Sequence, residues 1–197
     1  MNTQFDQLID SYLDQQVGID PFFLNERLSN GLQQNILQLH RDELMTAAKT
    51  GKEEISDSAQ KIRSDKIYWM DKNRNNVYEQ EFLQLAENFI DHLNETCYTG
   101  INSYEFHYAI YEEGSFYKRH RDQFSNDSNR KYSLISYLNE NWVEEDGGQL
   151  WVYPDETVKK VLPRSRTAVF FKSDEMEHEV TKANRARMSI TGWLKQV

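Results

Sequence analysis

The chain has 197 residues, a length that suits one domain with a sizeable core, and 13% aromatic residues, which argues against a globally disordered protein. Acidic residues outnumber basic ones 32 to 23, for a formal charge of −9; this balance weighs against a duplex-DNA or RNA partner, which calls for a basic face. Cys97 is the only cysteine, so neither an intrachain disulfide nor a thiolate metal cluster is expected, and Cys97 reads as a small buried hydrophobe. The first residues carry no basic segment followed by an apolar run, and no apolar stretch reaches membrane-spanning length. A cytoplasmic protein is expected.

Residues 3–15 space Phe5, Leu8, Ile9 and Leu13 at helical intervals, predicting a short amphipathic helix that docks or frays. Val17–Phe23 reads as a short strand interrupted by Pro21. A helix over about Leu24–Met45 follows, with Leu28, Leu32, Ile36 and Leu39 on its buried stripe and Gly31 as a soft spot. From Thr46 to Lys61 the residues turn small, charged and Ser-containing, the composition of a mobile loop. Ile62–Trp69 resumes as a strand, and Tyr78–Thr96 gives a second helix with Phe82, Leu83, Leu85, Ala86, Phe89, Ile90 and Leu93 facing the core.

From Tyr104 onward the period shortens to two. Strands are predicted over 104–112, 116–120, 131–138, 149–153, 158–162, 166–172, 177–181 and 187–194, with turn signals at 125–129 and 146–148. Helices followed by about eight short strands suggest an α+β, mainly β fold: a jelly roll, or double-stranded β-helix, backed by helices. A single domain over 1–197 is expected, with helices and first strands in 1–100 and the jelly-roll core in 101–197.

His120 and Asp122 stand two positions apart, so on an extended backbone both leave one face of the strand. With His178 as a distant third ligand, two imidazoles and one carboxylate occupy one face of an octahedral iron(II) and leave the opposite positions open. His40, His92 and His107 read as ordinary core or surface histidines. In the last strand Arg187, Ser189, Thr191 and Trp193 share one face, and Met188, Ile190 and Leu194 the other. Either the polar face lies in water, or it lines the barrel interior, where a buried guanidinium requires an anion such as a dicarboxylate cosubstrate.

These pieces carry a resemblance. Ile62–Trp69, the series Tyr111, Gly114, Tyr117, His120 and Asp122, then Ser136–Trp142, Gly147–Leu150, Phe170–Asp174, His178–Val180 and Arg187 resemble the 2-oxoglutarate- and iron(II)-dependent prolyl 4-hydroxylases. The branch is that of the hypoxia-inducible-factor prolyl hydroxylases and their bacterial relatives; the collagen-type branch carries lysine in place of Arg187. The resemblance runs from about Val17 to Leu194 and implies that His120, Asp122 and His178 hold the iron. It also implies that Tyr111 sits near the C1 end of 2-oxoglutarate and that Arg187 pairs with the distal carboxylate, helped by Tyr137 and Thr191. Ile135, Leu150, Val180 and Trp193 would wall the pocket, and Tyr117 reads as packing.

The implied reaction consumes 2-oxoglutarate and O2, releases succinate and carbon dioxide, and hydroxylates a prolyl residue, with ascorbate as a candidate reductant. For the bacterial branch the resemblance points to a proline of elongation factor Tu. By position, residues 46–61 match the family's segment that closes over the peptide. Lys61, Arg63, Lys66, Lys72 and Arg74 form a basic cluster expected to meet an acidic or polar surface beside the target. Two rivals stand: the same iron site acting on a small molecule or alkylated nucleobase, and a jelly-roll binding protein without catalysis.

Overall fold

Period-two alternation in the C-terminal half folds as two antiparallel sheets that pack face to face. The computed structural model describes residues 3–48, 62–123, 128–155 and 157–197. Three helices, α1 (Thr3–Gln15), α2 (Glu26–Arg41) and α3 (Val77–Cys97), accompany strands β1 (Gly18–Asp20), β2 (Thr46–Ala47) and β3 (Lys66–Trp69). The strands of the second half are β4 (Ser103–Tyr111), β5 (Tyr117–His120), β6 (Arg130–Tyr137), β7 (Leu150–Val152), β8 (Lys159–Val161), β9 (Ala168–Lys172), β10 (His178–Val180) and β11 (Arg187–Lys195). The larger sheet runs β1-β9-β6-β11-β4-β3-β2 and the smaller β5-β10-β7-β8, an antiparallel jelly roll.

Alternation sorts the larger sheet's side chains between two cores. Phe106, Tyr108 and Ile110 of β4, with Met188, Ile190 and Leu194 of β11, meet the helices. Ala109 and Tyr111 of β4, Ile135 and Tyr137 of β6 and Val169 and Phe171 of β9 face Leu150, Val152, Val161 and Val180 of the smaller sheet. The helix stripes of α2 and α3 are buried as their spacing predicts, except that Leu85 is only partly covered. Asn25 and Asn76 cap these helices, accepting from Leu28 N and from Tyr78 N and Glu79 N. α2 therefore starts at Glu26, two residues later than expected, and it stops at Arg41, before Met45.

Several expectations change. Thr46 and Ala47 are a strand, paired with Ile67 and Lys66; the rest of the expected loop, 49–61, lies outside the described residues apart from Ala48, whose N–H bonds Asp65 O. Cys97 is exposed rather than buried: it is the last residue of α3, and Tyr98, the cap beside it, is also exposed. Leu13 of the α1 stripe is exposed, while Phe5, Leu8 and Ile9 dock the helix. Gly31 is a close approach as well as a soft spot: a Cβ there would sit 2.3 Å from the Tyr78 ring. No described helix is long and apolar enough to cross a membrane.

Candidate active site

His120 ends β5 and Asp122 follows it by two residues, while His178 opens β10. The two strands pair antiparallel with His120 directly opposite His178, so a backbone ladder fixes the spacing of the imidazoles. One ligand atom from each of the three residues lies within 4.8 Å of the others. His120 Nε2 is 3.5 Å from Asp122 Oδ1, and His178 Nε2 is 3.6 Å from Oδ2.

Both rings turn Nδ1 to a backbone carbonyl, Lys118 O at 2.7 Å and Met176 O at 3.3 Å. An Nδ1–H donating there leaves each Nε2 lone pair facing the shared point. Burial pushes the His178 imidazole down to about 4, so it is neutral at ordinary pH. Burial alone would raise the Asp122 carboxyl, but the two imidazoles and the Ser133 hydroxyl, donating at 2.7 Å, hold it below the usual carboxylate range. Ser133 is in turn 2.9 Å from the Ser173 hydroxyl.

Three electron-pair donors thus face one point, and His120 Nε2 is buried with no hydrogen-bond partner. Such an arrangement is repulsive until a cation occupies its centre. Two imidazole nitrogens and one carboxylate oxygen, without thiolate, fit an octahedral first-row metal such as iron(II) with positions left open.

Arg187, 2% exposed, opens β11 in the same cleft. Its Nε donates to Gly148 O at 2.8 Å and its Nη1 to Ser189 Oγ at 3.4 Å, and no carboxylate among the described residues pairs with it. Gly148 makes this approach feasible: it has φ +58, and a Cβ there would lie 3.0 Å from Arg187 Cδ. The guanidinium carbon stands 4.8 Å from the Tyr111 ring and 5.0 Å from the Tyr137 ring. The Tyr137 hydroxyl is buried and unpartnered, and burial pushes it up to about 12; burial likewise holds Tyr111 above its ordinary value. A buried guanidinium beside an unpaired hydroxyl is a receptor for an anion with hydrogen-bond acceptors.

Tyr111, Ile135, Leu150, Val180, Thr191 and Trp193 all line the cleft that the triad and Arg187 share. Tyr137 adjoins Arg187 rather than lining the opening. Other residues emerge only in three dimensions. Tyr117, expected as packing, also lines the cleft and stacks on His120 with ring centres 3.5 Å apart. Arg63 stands 4.4 Å over the Tyr117 ring and forms a two-pronged pair with buried Asp65 at 2.7 and 2.5 Å. His107, expected as an ordinary histidine, lines the cleft and packs in one cluster with Trp69 and Trp193, the three ring centres 4.9–6.2 Å apart. Chain separation hides the Ser133 link to Asp122 and the Arg63 contact with Tyr117; the short Arg63-x-Asp65 spacing is the one signal that reads locally.

The expected basic cluster does not form a free cationic surface. Lys66 pairs with Glu112 and Lys72 with Glu87, and Arg74 lies over the Tyr68 ring and bonds Trp69 O. Lys61 lies outside the described residues.

Comparison with known proteins agrees with this chemistry. Residues 106–195 match the model of the 2OG-Fe(II) oxygenase superfamily. Egl nine homolog 1 of Homo sapiens is 31% identical over 170 residues, covering 77% of this chain; the chain spans 39% of that protein's length. A Pseudomonas putida prolyl-4-hydroxylase superposes with a TM-score of 0.85 at 30% identity, over 96% of this chain and 97% of that one. A prolyl hydroxylase from Trichoplax adhaerens, solved with a hypoxia-inducible-factor oxygen-degradation-domain peptide, gives a TM-score of 0.85 at 26% identity, over 97% and 88%. Enzymes of this family use iron(II), 2-oxoglutarate and O2, and the chain belongs to this family of 2-oxoglutarate- and iron(II)-dependent oxygenases.

Proposed function

We propose that this enzyme hydroxylates a prolyl residue within a protein, with elongation factor Tu as the target and the cytoplasm as its place of work. The observation that carries the catalytic reading is a buried Arg187 without a carboxylate partner, in one cleft with three convergent metal donors. The similarity to a bacterial prolyl-4-hydroxylase supports proline as the target residue. The resemblance to the bacterial branch supplies the choice of elongation factor Tu.

In this reading His120, Asp122 and His178 would hold the iron, and Arg187 would pair with the distal carboxylate of 2-oxoglutarate. Tyr137 and Thr191 add hydroxyl contacts at that end, and Tyr111 lies toward the C1 end. When bound, iron(II) and 2-oxoglutarate together activate O2, yielding succinate, carbon dioxide and a hydroxylated C–H bond. The chain's own contribution is placement: the strand ladder sets the imidazoles, Ser133 orients the Asp122 carboxylate, and Ile135, Leu150 and Val180 keep water from the cosubstrate. No acid–base pair is required, which agrees with the acidic residues lying largely on the surface. Residues 1–197 act as one catalytic unit, because the helices of the first half bury their stripes against β4, β9 and β11.

The test is incubation of the iron-loaded protein with 2-oxoglutarate, ascorbate and a cell extract, followed by mass spectrometry of the peptides. A single-oxygen gain on a proline, matched by succinate, is expected on elongation factor Tu. Oxygen gain confined to free small molecules, or none, contradicts the proposal.

A further inference from the structure

Of the three metal donors, Asp122 is the one that no strand ladder holds. His120 and His178 stand opposite each other on β5 and β10, but Asp122 lies two residues past the end of β5. A carboxylate outside the ladder meets two imidazoles at one point only if other bonds fix it. Those bonds come from β6 and from the turn after β9. Arg130 Nη1 donates to Asp122 O at 3.2 Å, and the next amide, Gln123 N, donates to Ser173 O at 3.1 Å. Ser173 N in turn donates to Lys131 O at 3.0 Å, which ties this anchor to the start of β6. On the side chain, the Ser133 hydroxyl bonds Asp122 Oδ2 at 2.7 Å and lies 2.9 Å from the Ser173 hydroxyl. Both serines are fully buried.

Counting protons gives this chain of groups a direction. A serine hydroxyl has one proton to donate and lone pairs with which to accept. A carboxylate that ligates a metal only accepts, so Ser133 spends its single proton on Asp122. Towards Ser173 the Ser133 oxygen is then left as an acceptor, and Ser173 has to be the donor of the 2.9 Å bond. The order is Ser173 to Ser133 to Asp122. Reversing it would strip a buried carboxylate of its hydroxyl donor in exchange for a neutral bond, the weaker of the two. In the native order the bond from Ser173 polarises the Ser133 O–H and strengthens its grip on the anion.

We infer that Ser173 is a positioning residue of the metal centre, acting on Asp122 through the Ser133 hydroxyl. The inference rests on the reading of His120, Asp122 and His178 as metal ligands. Ser173 bonds none of the three ligand side chains; it reaches the aspartate by two routes, its hydroxyl through Ser133 and its carbonyl through Gln123 N. Together they hold the side chain and the backbone of the one ligand that lacks a strand partner. Replacing Ser173 by alanine cuts the first route and leaves the second, so the hydroxyl's share can be measured by itself.

The experiment is a double-mutant cycle on zinc(II) affinity, measured by competition with a chelating dye in wild type, Ser133→Ala, Ser173→Ala and the double variant. Ser133→Ala should weaken zinc by about 10- to 100-fold, the usual cost of losing a partner of a metal ligand. Ser173→Ala, one bond further out, should weaken it by about three- to tenfold. Because Ser173 acts through Ser133, the double variant should bind zinc as Ser133→Ala does, within about twofold. A residue that served the fold alone would lower the urea midpoint of the metal-free chain and leave zinc affinity unchanged. Should a variant fail to fold, neutron diffraction of the zinc-loaded wild type carries the test, with the Ser173 deuteron expected on the line to Ser133 Oγ and the Ser133 deuteron on the line to Asp122. Zinc affinity of Ser173→Ala within about twofold of wild type, losses that multiply in the double variant, or a Ser173 deuteron turned away from Ser133 overturns the assignment and leaves the metal site standing. A wild type that takes up no zinc overturns the metal site itself.

Discussion

Arg187→Met removes a guanidinium that is buried and has no acidic partner among the described residues, so its effect separates cosubstrate binding from fold stability. In the absence of cosubstrate no ion pair is broken, and methionine refills much of the volume; the variant should be at least as stable as wild type to urea. With cosubstrate bound, wild type makes two charge-assisted hydrogen bonds of about 1.5–3 kcal/mol each. The variant instead leaves a buried carboxylate unpaired, a loss of about 3–5 kcal/mol. That raises the dissociation constant of 2-oxoglutarate by about 10²-fold to several thousandfold, roughly tenfold for each 1.4 kcal/mol. The assay is thermal unfolding and calorimetry with zinc in place of iron, which prevents turnover. At 2-oxoglutarate equal to a hundred times the wild-type dissociation constant, wild type gains about 2.7 kcal/mol of stability and the variant almost none. Binding within threefold of wild type refutes the reasoning. So does a loss of several kcal/mol in the cosubstrate-free variant, which would mean that the guanidinium serves the fold.

Other predictions concern the frame around the site. His107 titrates lower in the folded chain, at about 3, than its usual 6.5, so the unfolded state binds more protons between those values. Its contribution is therefore present above pH 6.5 and lost as pH falls toward 3, at up to about 1.4 kcal/mol per pH unit; urea midpoints should show a shallower acid decline in His107→Leu than in wild type, and parallel declines would refute this. Asp65→Ala strands the mostly buried Arg63 and should cost about 3–5 kcal/mol in urea unfolding, whereas Lys72→Ala at the exposed Glu87 pair should stay within about 1 kcal/mol. Gly31→Ala improves helix propensity by about 1 kcal/mol, yet its Cβ would collide with the Tyr78 ring. A net destabilisation of about 1–3 kcal/mol is expected by the same measurement, and stabilisation would show that α2 and α3 shift apart freely.

Much of this architecture is legible in the chain because its signals are local. Every strand expected after Tyr104 is found within about two residues, since alternation such as Phe106, Tyr108 and Ile110 against His107, Ala109 and Tyr111 registers on both cores. The His120-x-Asp122 spacing likewise reads directly as two groups on one side of the chain. What local pattern cannot carry is pairing at a distance. The meeting of His178 with His120 depends on the register of β5 against β10, and the Ser133 contact on Asp122 depends on β6 passing below. β2 escaped notice because two exposed residues have no periodicity. His107 was unremarkable for the opposite reason: one histidine in an apolar strand looks like core until the two indoles it packs with are seen. The basic cluster misled because charge in sequence says nothing about whether Glu87 or Glu112 will answer it.

The most direct test is an anaerobic titration of the iron(II)-loaded protein with 2-oxoglutarate, following the visible charge-transfer absorption of an iron-chelated 2-oxo acid. One equivalent per chain should saturate the band in wild type, and Arg187→Met should need at least a hundredfold more cosubstrate to reach it. No band in wild type, or a band that Arg187→Met reaches as readily, contradicts a single cleft in which the three-residue centre and the guanidinium hold the two ends of one molecule.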